Sequence, residues 1–167
     1  MSGCAILIRK DALRKIAYLD EGYFLYGDDI DLSISIRRLK MGLLFVPSAI
    51  SWHKVSSGKQ KAPRFTYQMK AKCDLRLILK NFPMRFVPSA LFFKGVLFPL
   101  SEALYFYRNP RFLLLAAQAF LTNMKELKDT FESRRRADKI GKAVVKNRFP
   151  ETIREAIKRI KEMKLYW

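Results

Sequence analysis

The sequence predicts an α/β fold in residues 1–60, followed by an all-helical, basic region in residues 61–167. For the first part, the apolar runs at residues 1–8 and 43–46 are typical of strands, and helical patterns lie between them. For the second part, Leu- and Phe-rich stretches are punctuated by proline and flanked by Lys and Arg. We place the boundary at the Ser-, Gly- and Lys-rich loop of residues 55–61.

The elements of the first part follow in order. A short helix is expected over Arg9–Tyr18, where apolar residues share one face. The apolar spacing of Ile30–Met41 fits both a strand and a helix, but acidic residues at its start and basic residues before Gly42 suit the two ends of a helix. We therefore predict a helix there, then a strand ended by Pro47 and a second short extended piece over Ala49–His53.

The charge of the chain is large and uneven. The formal net charge is +18; residues 1–60 hold 9 Lys and Arg against 6 Asp and Glu, and the remainder holds 24 against 9. Such a basic region attracts polyanions, of which an anionic membrane surface and a nucleic acid are the two candidates. The two cysteines lack the spacing of a disulfide framework or zinc site, which indicates a reducing cytoplasmic setting.

The Phe- and Leu-rich region favours helices on a membrane surface. Apolar residues dominate Phe86–Leu121, but charges interrupt them, and the longest uncharged run, Phe112–Met124, has 13 residues. A spanning helix needs about 20 predominantly apolar residues. We therefore expect peripheral attachment by amphipathic helices, with simple helix packing as the alternative. Charged helices are expected over Lys125–Lys146 and Thr152–Tyr166, and the basic run Arg134–Arg136 is either a solvated surface or a contact for lipid phosphates.

The candidate site lies in the first part. Asp28, Asp29 and Asp31 follow the aromatic stretch Tyr23–Tyr26, and the chain's one histidine is His53. Carboxylates, aromatic rings and an imidazole are what a site for a metal ion, a phosphate and a sugar hydroxyl needs. The alternative is structural, because aspartates are favoured at helix starts and aromatic residues are common in cores.

These residues resemble the C-terminal half of the catalytic domain of family-2 glycosyltransferases, particularly the rhamnosyltransferase-like group. The resemblance is carried, in chain order, by Ser2–Arg9, Leu19–Leu32, Val46-Pro47 and His53. It implies the acceptor side of the mixed sheet of a GT-A fold. The family's donor-binding half, with its Asp-x-Asp metal motif, would then come from another polypeptide. The pair usually written Glu-Asp stands here as Asp28-Asp29, which keeps the charge but shortens the first side chain.

The resemblance also implies a role for each matched residue. Asp29 corresponds to the general base that takes the proton of the acceptor hydroxyl, and Asp28 would orient Asp29 or the acceptor. His53 would be a ligand of a divalent cation, Mg²⁺ or Mn²⁺, that neutralises the leaving diphosphate. The residues implied on the acceptor side are Ser2, Gly3, Tyr26 and Asp31, the last of them in a capping or supporting role.

The implied function is transfer of a sugar from a nucleotide-sugar donor to a lipid-linked glycan acceptor. The implied place is the cytoplasmic face of the cell membrane, in cell-envelope polysaccharide biosynthesis. The chain would be active only with a separate N-terminal transferase half. A non-catalytic, membrane-peripheral interaction protein is the alternative. Nucleic-acid binding through residues 125–164 is the least favoured reading, because no aromatic stacking motif or recognition helix is present.

Overall fold

The computed structural model describes residues 3–52, 63–101, 103–104 and 109–141, and regular structure there is helical. Its helices are α1 Lys10–Lys15, α2 Asp28–Arg38, α3 Pro63–Asn81, a 3₁₀ turn Met84–Phe86, α4 Val87–Phe92, a π-helical turn Phe93–Leu97, α5 Phe98–Ser101, α6 Arg111–Lys125 and α7 Leu127–Ile140. These residues contain no strand or sheet. The predicted α/β fold, with its mixed GT-A sheet, is therefore wrong for the part of the chain that the structure describes.

The predicted strands fail for a physical reason. Residues 43–46 are irregular chain to which the described part of the chain supplies no pairing strand, and Leu44 and Phe45 are 88% and 84% exposed. Residues 3–8, the described part of the apolar run near the start, form no strand either, and Leu7 is fully exposed. A strand is stable only when a neighbouring strand accepts and donates its backbone hydrogen bonds. An apolar run indicates that its side chains favour burial, but it does not show that a neighbouring strand is present. The predicted strand residues Met1, Ser2 and His53 lie outside the described residues.

The two predicted helices of the first part are confirmed, with shifted ends. Helix α1 is shorter than expected because the chain after it turns sharply, with φ of 57° at Ala17 and 67° at Tyr18. Helix α2 begins at Asp28, directly after Gly27, whose φ of 84° suits a residue without a Cβ. The two helices share a small buried cluster made of Ala12, Ile16, Leu32 and Ile36.

Helix α3 is the scaffold of the second part. It packs against α2, α4, α6, α7 and the π-helical turn. Tyr67 of α3 meets Phe112 of α6 edge to face, with ring centroids 5.0 Å apart. A second apolar cluster joins α3 to α4 through Ile78, Leu79, Val87 and Ala90. The helical prediction for this part is thus confirmed over its described residues; the helix expected at 152–166 and the loop at 55–61 lie outside them.

The helices of the described residues include no candidate for a membrane span. Within residues 3–52, 63–101, 103–104 and 109–141, none combines the length and apolar character that a bilayer span requires.

Candidate functional site

Two pieces of the predicted acceptor site meet in the structure. The backbone amide of Gly3 donates a hydrogen bond to Oδ2 of Asp29, at 3.0 Å, although 26 residues separate them. Asp29 lies half-buried in the first turn of α2, where the helix dipole favours its negative charge. One carboxylate oxygen is therefore oriented by a backbone donor.

The other predicted site residues are arranged differently. Asp28 is exposed, Tyr26 is half-buried with a φ of 71°, and Asp31 is buried. Ser2 and His53 lie outside the described residues. Within the described part, no group of three His, Cys, Asp or Glu side chains is placed to hold a metal ion. The three aspartates consequently occupy three different environments instead of converging.

Asp31 belongs to a buried charge network. Its Oδ2 accepts a hydrogen bond from Lys80 Nζ at 2.7 Å, and its Oδ1 accepts one from Asn81 Nδ2 at 2.7 Å. The same Lys80 Nζ donates to Oδ2 of Asp20 at 2.8 Å. The Lys80 side chain is 7% exposed. Both oxygens of Asp31 are thus engaged by α3, an arrangement that favours the supporting role for this residue.

Arg76 forms the second centre of the network, one turn before Lys80 on α3. Its Nη2 lies 2.8 Å from carboxylate oxygens of both Asp20 and Asp129, and its side chain is 1% exposed. The ring of Tyr23 lies 5.6 Å from the Arg76 guanidinium carbon and 5.7 Å from Lys80 Nζ. Cations within about 6 Å of an aromatic ring are attracted to it. Arg76 therefore attaches the segment before α2 to α3, and it attaches α3 to α7, by charge.

Arg38 closes the network at the end of α2. Its Nη1 donates to Asp138 Oδ1 at 2.8 Å and to the Gly141 carbonyl at 2.6 Å. Its Nη2 donates to Asn81 Oδ1 at 3.4 Å. Both ends of α2 are thus held by side chains of other helices.

The network changes the acidity of its members. Burial on its own raises the pKa of Asp20, but the hydrogen bond and charge of Lys80, with smaller contributions from the Gly22 backbone amide and the charge of Arg76, outweigh burial and hold that pKa at about 2. Burial and the negative charges of Asp31 and Asp20 raise the pKa of the Tyr23 hydroxyl well above its ordinary value. At neutral pH, Asp20 is therefore ionised and Tyr23 keeps its proton.

A cavity of about 770 Å³ lies beside the network. Asp20, Asp31 and Lys80 line it, together with α7 residues that include Arg136. Its walls carry charged groups of both signs. Among the described residues, Gly3 and Asp29 do not line this cavity, so it is separate from their contact.

Sequence reasoning missed Arg76 and Lys80, although a signal was present. They stand four residues apart on α3, on the same side as Cys73, and apolar residues separate them. Cations at a spacing of four within an apolar helix face need acidic partners elsewhere. Asp20 and Asp31 are those partners.

The basic run at 134–136 is not uniform. Arg134 Nη1 donates to the carbonyls of Leu79 and Phe82, at 2.7 and 2.8 Å, and so satisfies the C-terminal end of α3. Arg135 and Arg136 are both exposed, and Arg136 Nη2 donates a hydrogen bond to Ser133 Oγ. The run is therefore in part a structural cap.

No protein-family model, curated protein or solved structure matches the chain. The resemblance to family-2 glycosyltransferases rests on the residues quoted above and stays a prediction.

Proposed function

We propose that the chain acts as the acceptor-side part of a sugar transferase, with Asp29 as the general base. The observation that carries this proposal is the hydrogen bond from the Gly3 amide to Asp29 Oδ2. It joins two sequence pieces that the resemblance assigns to one site, and it orients the carboxylate. A base must be held in a fixed orientation within hydrogen-bond reach of the proton that it takes.

The chemistry assigned to Asp29 is one proton transfer. Because Gly3 engages Oδ2, we assign Oδ1 to the acceptor hydroxyl. The hydroxyl proton moves to Asp29 as the acceptor oxygen bonds to the sugar's anomeric carbon. The bond from that carbon to the diphosphate breaks, and the nucleoside diphosphate leaves with the electron pair. A divalent cation, held by His53 and by carboxylates of the donor-binding half, would supply charge neutralisation for the leaving group.

The support of α2 favours this role. Asp31, two residues after Asp29, is fixed by Lys80 and Asn81 of α3, and Arg38 is fixed at the other end of the helix. A catalytic side chain on a helix that is held at both ends loses little orientation to thermal motion.

The exposed apolar segments favour a second polypeptide as partner. Leu44 and Phe45 are exposed side by side, and Trp52 is 97% exposed. Burial of large exposed apolar side chains against a partner is favourable. We assign these side chains to contact with the polypeptide that carries the donor-binding half.

The test uses membranes from the native cells after removal of the chain. Wild-type chain, Asp29→Asn or Asp11→Asn is added back with Mg²⁺ or Mn²⁺. Transfer is measured as incorporation of label from UDP-glucose, UDP-galactose, GDP-mannose or dTDP-rhamnose into lipid-extractable material. Asp11 is an exposed carboxylate of α1 and provides the matched loss of charge.

Wild type and Asp11→Asn should restore incorporation, whereas Asp29→Asn should lower its rate by about 10²- to 10⁴-fold, the usual contribution of a general base. Incorporation that does not depend on the chain for any donor would contradict the proposal. Equal restoration by Asp29→Asn would instead support the non-catalytic interaction protein.

A further inference from the structure

An apolar ridge runs along the continuous helical segment of residues 84–101 and on to Leu104. Its exposed residues recur every four positions, a spacing that places neighbours together on a helix surface. They are Met84, Pro88, Phe92, Val96, Leu100 and Leu104. Lys94, which interrupts the apolar sequence, turns its Nζ to Asp74 at 3.1 Å and does not interrupt the ridge with an unpaired charge. The π-helical turn lies at the middle of this segment, and such turns are frequent at functional sites.

Helix α6 presents a second apolar surface beside the ridge. It contacts α5 and the π-helical turn. Its buried stripe contains Phe112, Ala116, Ala119 and Asn123, whereas its exposed residues include Leu113, Leu114, Phe120 and Leu121. Leu114 is 65% exposed. The outward side of a helix in a soluble protein is ordinarily polar, so this helix is apolar where water would be expected. We call the ridge and the exposed side of α6 together the apolar face.

The charges around the apolar face favour an anionic surface as its occupant. Residues 82–125 contain five Lys and Arg but one acidic residue. Arg85, Arg111 and Lys125 are exposed and lie near the ends of its helices. Helices that lie in a membrane interface combine an apolar side with basic residues that reach anionic headgroups. A second copy of this chain, with its net charge of +18, would satisfy the apolar side alone, whereas an anionic bilayer satisfies both features.

We propose that the apolar face docks the chain on the surface of an anionic bilayer without spanning it. The apolar side chains enter the boundary between headgroups and acyl chains, and the basic residues contact lipid phosphates. This inference needs neither Asp29 nor a donor-binding half, so it stands or falls independently of sugar transfer.

The test is flotation of the purified full chain with vesicles of phosphatidylcholine alone or with one quarter phosphatidylglycerol. Wild type should float with the anionic vesicles, with at least tenfold weaker partition into neutral ones and a marked loss at 1 M salt. The triple variant Phe92→Gln, Leu114→Gln and Leu121→Gln should lose partition into anionic vesicles by at least tenfold. Circular dichroism checks that its helices remain.

The matched control makes the same chemical changes in the exposed extended segments: Leu7→Gln, Leu44→Gln and Phe45→Gln. It should float as wild type does. Equal flotation of the two triple variants would overturn the proposal, as would equal partition into neutral and anionic vesicles. A wild-type dimer that the face variant alone dissociates, with no vesicle binding, would reassign the face to a second copy. Binding of a labelled RNA oligonucleotide without vesicle binding would reassign the basic charge to nucleic acid.

Discussion

Replacement of Lys80 by Met tests the buried network most directly. The substitution keeps the length of the aliphatic stem but removes the cation that lies 2.8 Å from Asp20 and 2.7 Å from Asp31. The side chains of these aspartates are 10% and 6% exposed, so water replaces little of the lost interaction. Removal of one partner of a buried pair costs about 3–5 kcal/mol. We expect Lys80→Met to lower the free energy of unfolding by this amount, which is a large share of the 5–15 kcal/mol that typically stabilises a domain.

The assay is urea unfolding at pH 7, followed by helical circular dichroism, with Lys72→Met as control. Lys72 pairs with Glu126 at 2.8 Å, but these side chains are more accessible, and we expect a change of at most about 1 kcal/mol. The double variant Lys80→Met, Asp31→Asn should recover part of the loss, because it leaves one fewer unpaired carboxylate. A loss below about 1 kcal/mol for Lys80→Met would refute the stabilising role assigned to the network.

The effect of Lys80→Met on the free energy of unfolding should depend on pH. Asp20 has a folded pKa of about 2 against an ordinary 3.8, so its contribution is present above about pH 4 and disappears as pH falls towards 2. After allowance for solvent screening, we assign about 1–2 kcal/mol to this carboxylate. Lys80→Met removes the strongest influence that lowers this pKa. The difference in unfolding free energy between wild type and variant should therefore narrow from pH 6 to pH 3, and a constant difference would contradict the assignment.

Two further substitutions test the packing around the network, each measured by the same urea unfolding. Gly22→Ala should lower the free energy of unfolding by at least about 2 kcal/mol, because an added Cβ would overlap the buried Arg76 guanidinium, which cannot move without leaving its acidic partners. An unchanged urea midpoint would show that the Arg76 side chain can move aside without loss of stability. Arg134→Gln should lower the free energy of unfolding by about 1–3 kcal/mol, because it removes the hydrogen-bond donor of two carbonyls at the end of α3. Arg135→Gln, at the exposed neighbour, should change this free energy by less than about 0.5 kcal/mol. Equal effects of the two arginine variants would contradict the cap.

Helix α2 could be predicted from sequence because local physics decides it. Asp28, Asp29 and Asp31 at its start, with Arg37 and Arg38 in its last turn, complement the helix dipole whatever surrounds them. The ambiguous apolar spacing was therefore resolved correctly by the charged ends.

The strand predicted at 43–46 was wrong, because strand formation depends on a partner that is distant in sequence. Leu44 and Phe45 have the composition of a buried strand, yet the described residues place no neighbour beside them. The candidate site divides in the same way. The joint site of Gly3 and Asp29 stays a prediction from the resemblance, whereas the ion pairs of Arg76 and Lys80 depend on long-range packing that the sequence does not display.

Helix α3 supports both the proposed catalytic helix α2 and the apolar face, by different kinds of interaction. Its C-terminal part binds the segment that carries Asp29 through Arg76 and Lys80, and its N-terminal part packs Tyr67 on α6, whose other side belongs to the apolar face. Buried pairs are screened by salt far less than exposed charges. Conditions that release a basic surface from an anionic bilayer therefore leave the α2 support in place. Under the two proposals, α3 would position both the bilayer that carries the acceptor and the α2 helix that carries the Asp29 base. The buried network would then contribute to catalysis as well as to stability.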